Sequence, residues 1–373
     1  MRFRITHPLV YLAGVIDDPP KLAALVSRIR SADWVALDTE ADSLHAYPEK
    51  LCLIQISLPG ENAIVDPLAG VDLTPLLDVL KDRELILHGA DYDLRLLWKS
   101  FRFRPRAIFD TMWAARLLGY EEFGLLHLVA KVLEITLEKG PQKMNWARRP
   151  LPERMEQYAR NDTRYLRALA EALSTQLEQL GRGSWLREVC ARVIQECAQD
   201  RVQDPDEVWR VKGSNRLSRR GLAILRELWH WREHEAIERN KPPYFILSHE
   251  KLTALAAAAA ENGPLAELVP PAFSPARRAR MMEALECGLR HAASAHPKHR
   301  RGDGRRLTKV EQHRFEEFKR RRDERAGELK IDPSLIASRA ALVALALDGD
   351  GRTGELMTWQ LEVLRDPPVS PDE

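Results

Sequence analysis

Short apolar runs alternate with amphipathic stretches along the first half of the 373-residue chain. The runs LVYLAG, WVALDTE, LCLIQISL, NAIVD and ELILHG have the length and composition of buried strands. Helical spacing of apolar residues predicts a helix from about Pro20 to Arg30 and helices in LTPLLDVL and DLRLLWKSF. Consecutive short strands, followed by alternating strands and helices, predict an α/β domain with a mixed sheet from Pro8 to about Leu180.

The pattern becomes helical from IFDTMWAARLLGY onwards. Asp110 or Thr111 is expected to cap the helix that begins there, because Asp and Thr side chains accept hydrogen bonds from the first free N–H groups of a helix. GLLHLVAKVL predicts a second helix, and LPERMEQYARNDTRYLRALAEALSTQLEQL predicts one long third helix. From about Asp204 the spacing stays helical, except in HAASAHPKHRRGDGRR, whose small, basic and Gly residues are typical of a linker.

Two segments of the second half resemble each other. RLSRRGLAILRELWHWREHEAIERNKPPYFILSHEKLTALA and RLTKVEQHRFEEFKRRRDERAGELKIDPSLIASRAALVALA share an opening Arg-Leu with a Ser or Thr cap, an Arg-rich helix and a Pro-containing extended segment. Such a repeat predicts a duplicated small helical domain, although any two amphipathic helix pairs look somewhat alike. The predicted domains are residues 1–200, 204–290 and 307–373, with a basic linker at 291–306.

The composition is that of a globular protein. Hydrophobic residues make up 45% of the chain and charged residues 30%, and no apolar run approaches the roughly 18 residues of a membrane span. We therefore expect a cytoplasmic protein with no membrane partner. The cysteines are far apart and are expected to be reduced thiols in the core; they are Cys52, Cys190, Cys197 and Cys287.

The formal net charge of +2 hides a local excess of basic residues. Residues 275–330 contain 17 Lys and Arg against 9 Asp and Glu. A surface of this kind can bind a polyanion by releasing its counterions. The alternative is a solvated helix surface of mixed charge, and the composition does not decide between the two.

Carboxylates gather at three places in the first domain. The acidic motifs are DTEADS with Asp38 and Glu40, HGADYD with Asp91 and Asp93, and YARND with Tyr158 and Asp162. Asp38 and Glu40 end a predicted core strand, where residues two apart point to the same face. Tyr158 and Asp162 are four residues apart and share one face of a helix. Motifs from such distant parts of the chain could converge on one point.

Convergent carboxylates predict a site for hard cations. Two unit charges about 4 Å apart repel by roughly 4 kcal/mol at an effective dielectric of about 20, so positive charge is expected beside them. Oxygen ligands favour Mg²⁺ or Mn²⁺ over zinc. Two such ions about 3.5–4 Å apart can clamp the attacking and leaving oxygens of phosphodiester cleavage. A phenol, with an ordinary pKa of about 10, suits Tyr158 to positioning a water rather than to general-base catalysis.

In order and spacing, the three motifs resemble those of the DEDD exonuclease superfamily, in the subgroup whose third motif is Tyr-x-x-x-Asp. The phrase NWARRPLPERMEQYARNDTRYL and the repeated helical units are most similar to the ribonuclease D family with its paired HRDC (helicase and RNase D C-terminal) domains. The resemblance extends from Tyr11 to about Leu347. It implies an α/β ribonuclease H-like exonuclease domain with a mixed sheet, followed by two all-α HRDC-like domains.

The resemblance also implies catalytic roles for five residues. These roles are metal ligation by Asp38, Glu40, Asp93 and Asp162, and positioning of the attacking water by Tyr158. In the second motif the family places its carboxylate five residues after the His of the strand end, which selects Asp93 over Asp91. Asp91 is instead expected at the N-cap of the following helix.

Further residues are predicted to contact the substrate. They are Leu44, His88, Gly89, Gln142, Lys143 and Trp146. Leu44 would wedge against the terminal base, and Trp146 could stack on a base. His88 could equally pack at the strand end, and Asp110 is expected to be a helix cap. Asn145 departs from the Asp that relatives often have at this position.

The implied function is a 3′→5′ exoribonuclease that uses two divalent ions, Mg²⁺ or Mn²⁺, and releases nucleoside 5′-monophosphates. Its expected partner is RNA, such as tRNA precursors or other structured RNA with a 3′ end, and a monomer would suffice. A DNA 3′→5′ exonuclease of the same superfamily stays open as an alternative. A binding protein with an inactive nuclease domain is the second alternative, although that reading predicts a missing carboxylate and none is missing.

Overall fold

A computed structural model describes residues 10–11, 15–140, 143–200, 204–299, 306–348 and 356–365. These residues form two compact units. The first unit contains the described residues up to Gln199, except 42–50, together with those from Arg306 onwards. The second unit contains residues 42–50 and the described part of 200–305.

Within the described residues, six strands form one mixed sheet in the first unit. The strands are β1 (Val10–Tyr11), β2 (Val35–Ala41), β3 (Leu51–Leu58), β4 (Glu61–Val65), β5 (Glu84–Leu87) and β6 (Ala107–Asp110). Their order in the sheet is β1-β4-β3-β2-β5-β6. β3 pairs antiparallel with β2 and β4, and the other pairs are parallel. The predicted mixed sheet is confirmed, but β6 was not predicted, since AIFD is short and runs directly into a helix.

Eight α-helices accompany the sheet among the described residues up to Gln199. They are α1 (Pro19–Ser31), α2 (Thr74–Lys81), α3 (Asp91–Phe101), α4 (Thr111–Leu117), α5 (Leu125–Leu133), α6 (Glu153–Arg164), α7 (Leu166–Gln179) and α8 (Gly183–Cys197). The prediction of one long helix through the third acidic motif is wrong, because the helix breaks at Tyr165. There the backbone N–H bonds to the carbonyl of Thr163, two residues back, which ends the α-helical pattern. α6 then packs on β2, β3 and β4, whereas α7 packs on α4, α5 and β5.

The last four described helices also belong to the first unit. They are α13 (Lys309–Leu329), α14 (Pro333–Ile336), α15 (Arg339–Asp348) and α16 (Thr358–Leu364). The buried Arg182 side chain donates to the carbonyl of Leu117 at 2.7 Å and to that of Leu329 at 2.8 Å. Trp185 and Trp359 stack with ring centroids 4.6 Å apart. The sequence predicted a separate domain here, but these helices share a hydrophobic core with the sheet.

The second unit is helical and has its own core. Its helices are α9 (Arg219–Glu238), α10 (Pro243–Ile246), α11 (His249–Ala260) and α12 (Pro275–Arg290). The segment 42–50 joins it through Tyr47, whose hydroxyl group donates to Glu233 at 2.6 Å and whose backbone N–H donates to Asn240 at 3.1 Å. In the described parts of both units, every helix is too short or too polar to cross a bilayer.

Candidate active site

The carboxylates of the first acidic motif lie near the carboxyl end of β2. Asp38 is opposite Gln55 and Glu40 is opposite Leu53 on β3. The register between the two strands shifts after Glu40, which leaves Cys52 as an extra residue on β3. Because side chains two residues apart on a strand share a face, Asp38 and Glu40 are neighbours on this part of the sheet, as the spacing predicts.

Asp93 reaches the same place from the first turn of α3. β2 pairs with β5 only at Val35 and Ala36, so the backbone N–H of Thr39 is not used by that strand pair. It donates instead to Oδ1 of Asp93 at 3.0 Å, and the Thr39 hydroxyl group donates to the same oxygen at 2.5 Å. Asp93 is 5% exposed. These two hydrogen bonds tie the second acidic motif to the first.

Asp91 occupies a different environment. Its side chain is 59% exposed and forms an ion pair with Arg95, one helical turn along α3, at 2.8 Å. The prediction that Asp91 is the N-cap is wrong, because Ala90 holds that position and Asp91 is the first helical residue. Asp110 supports the residues just before the first turn, since it accepts from the N–H groups of Gly89 at 3.0 Å and of Ala90 at 2.8 Å.

The third motif brings Asp162 and Tyr158 from α6. One carboxylate oxygen each from Asp38, Glu40 and Asp162 lie within 4.8 Å of one another. The three residues border a cavity of about 520 Å³. The cavity is lined by Asp38, Thr39, Glu40, His88, Tyr92, Asp93, Gly124, Leu125, Leu126, His127, Tyr158 and Asp162. All four acidic residues of the predicted metal set, together with Tyr158, therefore line one cavity.

The crowded carboxyl groups disfavour their own ionisation. Burial, followed by the charges of Asp162 and Asp93, raises the pKa of Glu40 to about 9. Burial raises the pKa of Asp93 and of Asp162 to about 7, and a hydrogen bond from Tyr158 partly offsets the rise at Asp162. Burial and the other three carboxylates hold the pKa of Asp38 well above its usual range. An all-oxygen donor set that resists ionisation by itself fits hard divalent cations, whose charge stabilises the ionised forms.

The Tyr158 ring is held by two residues from the segment before α6. A Cβ atom on Gly140 would lie only 1.4 Å from Cδ2 of Tyr158, so the ring occupies the space that a side chain would take. Trp146 packs near it with ring centroids 6.1 Å apart. Trp146 is 1% exposed and belongs to a core cluster with Leu53 and Met155. The prediction that Trp146 stacks on a base is therefore corrected, since this buried ring supports Tyr158 instead.

Hydrogen bonds to Asp110 hold the turn between β5 and α3 in place. Gly89 has a φ of 72°, a left-handed conformation that favours glycine. Asp110 caps α4 by accepting from Met112 at 2.9 Å and also accepts from the turn itself, so its predicted capping role is confirmed. His88 lines the cavity, while its Nδ1 atom lies 2.9 Å from the Thr111 hydroxyl oxygen and burial lowers its pKa. His88 thus combines the two roles that the sequence left open, packing at the strand end and facing the site.

The remaining predicted contacts are more scattered. Leu44 lies in the second unit and is 48% exposed. Lys143 is exposed, and the side chain of Asn145 accepts a hydrogen bond from Ala147, which forms a local turn. Gln142 lies outside the described residues.

Some residues of the cavity were missed by the sequence reasoning. Tyr92 lines the cavity and is 45% exposed. It lies between the two aspartates of HGADYD, and the predictions for this motif did not include it. Leu126 and His127 also line the cavity, but their segment GLLHLVAKVL predicts only an amphipathic helix. Thr39 lies between Asp38 and Glu40 on β2 and lines the cavity, although the alternation of side chains along a strand predicts the opposite face for it.

In the described part of residues 275–330, several of the arginines pair with nearby acids. These ion pairs join Arg277 and Arg280 to Glu235, Arg290 to Glu286, Arg320 to Glu324, Arg321 to Glu317 and Arg325 to Glu328. Pairs of this kind along a helix are typical of a solvated surface of mixed charge. The structure therefore favours that alternative for these paired arginines.

Comparison with known proteins agrees with this geometry. Residues 14–178 match the family model described as 3′-5′ exonuclease, and residues 221–263 match the HRDC domain. Ribonuclease D of Zymomonas mobilis is 39% identical over 256 residues, which cover 67% of this chain and 63% of that protein. Ribonuclease D of Sphingobium indicum is 36% identical over 256 residues, 67% of this chain and 64% of that protein. The chain thus matches slightly less than two thirds of the length of these relatives.

Solved structures extend the likeness to nearly the whole chain. The crystal structure of Escherichia coli RNase D, described as an exoribonuclease involved in structured RNA processing, has a TM-score of 0.71 and 26% identity. The match covers 94% of this chain and 98% of that one. A protein from Bifidobacterium adolescentis, with a TM-score of 0.78 and 21% identity over 96% of this chain and 98% of that one, shares the fold. The chain is similar to bacterial ribonuclease D and carries a 3′-5′ exonuclease domain followed by an HRDC domain.

Proposed function

We propose that this protein is a divalent-metal-dependent 3′→5′ exoribonuclease of the DEDD superfamily, which releases nucleoside 5′-monophosphates from the 3′ end of RNA. The observation that carries the proposal is the approach of Asp38, Glu40 and Asp162 to within 4.8 Å, with Asp93 lining the same cavity. The similarity to ribonuclease D over 67% of the chain supports the reaction class. Within the sheet, the antiparallel strands β4, β3 and β2 are followed by the parallel strands β5 and β6, an order that supports a ribonuclease H-like fold.

In this proposal Asp38, Glu40, Asp93 and Asp162 hold two Mg²⁺ or Mn²⁺ ions. When bound, such ions supply a nucleophile at neutral pH and stabilise the developing charge on the leaving 3′ oxygen. Thr39 orients Asp93 by holding its Oδ1 atom, which leaves Oδ2 for the ligand role. Metal ligands fixed by hydrogen bonds of this kind bind more strongly and with defined geometry.

Tyr158 is proposed to aim the attacking water, as the tyrosine of the Tyr-x-x-x-Asp motif. Its phenol group hydrogen-bonds the carboxylate of Asp162 one helical turn away, so it lies beside a proposed metal ligand. Gly140 and Trp146 hold the ring in place. A positioned phenol contributes orientation rather than proton abstraction, since its ordinary pKa of about 10 leaves it protonated at neutral pH.

The substrate is proposed to be RNA with a structured body, such as a tRNA precursor. The description of the Escherichia coli relative, which names structured RNA processing, supports this class. His88 and Tyr92, which line the cavity, and Gly89, which follows His88, are proposed to contact the terminal nucleotide. Leu44, Gln142 and Lys143 also remain proposed contacts. We further propose a monomeric protein that acts in the cytoplasm.

Residues 307–373 are proposed to be a second HRDC-like domain. The described helices of this region repeat the order of those in the second unit. A long helix of 20 or 21 residues (α9 or α13) is followed by a four-residue helix that begins with proline (α10 or α14) and then by a third helix (α11 or α15). The long helices begin after a Ser or Thr cap in both copies.

One hydrogen bond repeats between the two copies. Arg232 of α9 donates to the carbonyl of Leu247 at 3.4 Å, and Arg322 of α13 donates to the carbonyl of Ala337 at 3.1 Å. The donor and the acceptor lie 15 residues apart in each copy. A repeated long-range contact at equal spacing supports duplication more strongly than similar apolar patterns do.

The test is cleavage of 5′-labelled single-stranded RNA and of DNA of the same sequence, with Mg²⁺, Mn²⁺ or a chelator. We expect a ladder that shortens from the 3′ end, needs the metal and is stronger on RNA. Asp93→Asn should abolish it, and Asp91→Asn is the matched control because Asp91 is exposed and paired with Arg95. Stronger cleavage of DNA would support the DNA exonuclease, and no cleavage by folded wild type would support the binding protein.

A further inference from the structure

The second unit contains a cluster of potential metal ligands that the proposed exonuclease reaction does not use. Glu227 lies on α9, Cys287 lies on α12, and His291 directly follows α12. One carboxylate oxygen of Glu227, the Sγ atom of Cys287 and one imidazole nitrogen of His291 lie within 4.8 Å of one another. All three side chains are half-buried, so they are accessible to an ion from solvent.

A close helix crossing brings these three residues together. A Cβ atom on Gly288 would lie 2.5 Å from the Cα atom of Ile224, so only glycine lets α12 approach the backbone of α9 here. Ile224 lies about one turn before Glu227, and Gly288 directly follows Cys287. Cys287 and His291 are four residues apart, the spacing that places two side chains over one another on a helix face. The crossing therefore sets both of them against Glu227.

We propose that Glu227, Cys287 and His291 bind a transition-metal ion of the zinc class. Thiolate, imidazole and carboxylate groups are the ligands that Zn²⁺ takes in proteins, and a thiolate sets this site apart from the all-oxygen site for Mg²⁺ or Mn²⁺. Tetrahedral zinc needs ligand atoms about 3.4–3.8 Å apart. The three atoms lie within 4.8 Å of one another, so side-chain movements of about 1 Å bring them to the separations that zinc needs.

The fourth coordination position has two natural occupants. Glu227 and Cys287 border a groove of about 590 Å³, and His230 lines the same groove one turn beyond Glu227. Either water or His230 can therefore complete the site. A bound ion would cross-link the end of α12, through Cys287 and His291, to Glu227 in the middle of α9. Binding of this kind adds to the stability of the folded state.

Arg226 competes with the proposed ion. Its Nε atom lies 3.3 Å from Oε1 of Glu227, and its Nη2 atom lies 3.5 Å from Nε2 of His291. The Nε2 atom of His291 in turn lies 3.0 Å from Oε1 of Glu227. Binding of the ion replaces these contacts, because a ligating imidazole nitrogen carries no proton and a ligating carboxylate needs no second cation. Removing the guanidinium group should therefore tighten metal binding.

The test is titration of the full-length, metal-free protein with Co²⁺ and then Zn²⁺, followed by absorption spectroscopy. We expect a thiolate-to-cobalt charge-transfer band that saturates at one equivalent and disappears as Zn²⁺ displaces Co²⁺. Cys287→Ser should abolish the band. His291→Gln and Glu227→Gln should each weaken Zn²⁺ binding about tenfold or more, and Arg226→Gln should strengthen it several-fold.

The matched control is Glu286→Gln, which removes a carboxylate beside Cys287 that pairs with Arg290 instead. This variant should bind Zn²⁺ as the wild type does. Equal Zn²⁺ affinity in wild type and Cys287→Ser, or Co²⁺ binding without a thiolate band, would overturn the proposal. Circular dichroism verifies folding, and if Cys287→Ser is misfolded, unchanged binding in folded His291→Gln and Glu227→Gln overturns it equally. RNA cleavage is measured separately, so failure here leaves the exonuclease proposal untouched.

Discussion

Thr39 donates two hydrogen bonds to one carboxylate oxygen of Asp93, from its backbone N–H at 3.0 Å and from its hydroxyl group at 2.5 Å. The two residues are 54 positions apart and belong to different acidic motifs. The contact forms where β2 extends beyond its pairing with β5. A residue that ligates no metal in the proposed mechanism thus positions one that does.

We expect Thr39→Val to weaken the response to metal. Valine keeps the shape of threonine but removes the hydroxyl donor, so only the backbone N–H still orients Asp93. Loss of such a supporting contact costs about 10–100-fold in metal affinity or activity. The measurement is the Mn²⁺ concentration that gives half-maximal RNA cleavage. Thr39→Ser should restore most of the wild-type response, and an unchanged metal response in Thr39→Val would contradict the positioning role.

The metal-free protein should lose stability as the pH rises. The folded-state pKa of Glu40 is raised to about 9, and those of Asp93 and Asp162 are raised to about 7. These groups bind protons more strongly in the folded state than in the unfolded state, where their pKa values are about 4. Between about pH 4 and pH 9, ionisation therefore favours unfolding.

This pH effect is measured by urea unfolding of the metal-free protein at pH 5.5 and pH 8.5. The midpoint should fall at the higher pH, and Mg²⁺ should restore it there because the ion binds the ionised carboxylates. Asp162→Asn removes one of the crowded charges and should show a smaller fall. A midpoint that rises steadily from pH 5.5 to pH 8.5 without metal would refute the assignment.

Gly140→Ala should disable Tyr158 without touching the carboxylates. The new Cβ atom would overlap the tyrosine ring at 1.4 Å from Cδ2, so the ring must leave its place. We expect kcat for RNA cleavage to fall about as far as in Tyr158→Phe, with RNA binding retained. Gly327→Ala is the control, since nothing lies within 4 Å of its Cβ position. Full activity in Gly140→Ala would show that the tyrosine needs no such fixation.

Arg182→Met should destabilise the first unit. The side chain is 6% exposed, and its two hydrogen bonds satisfy the carbonyl groups of Leu117 and Leu329. Hydrogen bonds from charged groups contribute about 1.5–3 kcal/mol each, so we expect the free energy of unfolding to fall by about 2–4 kcal/mol. Arg167→Met, which breaks an exposed pair with Glu171, should cost less than about 1 kcal/mol. Equal urea midpoints for both variants would contradict the bridging role.

Much of the fold and the site could be predicted because local patterns determine them. The strands β2 to β5 follow from their apolar runs. Asp38 and Glu40 are two residues apart on a strand, and Tyr158 and Asp162 are four residues apart on a helix, as their spacings predict. Asp93 and Asp91 could be separated only by the family resemblance. In the structure, the difference between them is burial of Asp93 against Thr39 and exposure of Asp91 beside Arg95.

What could not be predicted depends on contacts between distant segments. The break at Tyr165 has no Gly or Pro to mark it, and it separates α6, which packs mainly on β3 and β4, from α7, which packs mainly on α4 and α5. Trp146 lies in a largely polar stretch, QKMNWARR, so the sequence gives no local signal for its burial against Tyr158. The packing of α13 to α16 with the sheet depends on single contacts such as Arg182 to Leu329.

The two similar helical segments pack against different partners, which limits where the chain can be truncated. The segment of the second unit has its own core, whereas the segment from Arg306 onwards shares the core of the first unit through Phe315, Leu342 and Trp359. A truncation before Arg306 would therefore expose apolar residues in the core of the first unit. The first unit therefore depends on two parts of the chain that are far apart in sequence, the residues up to Gln199 and those from Arg306 onwards.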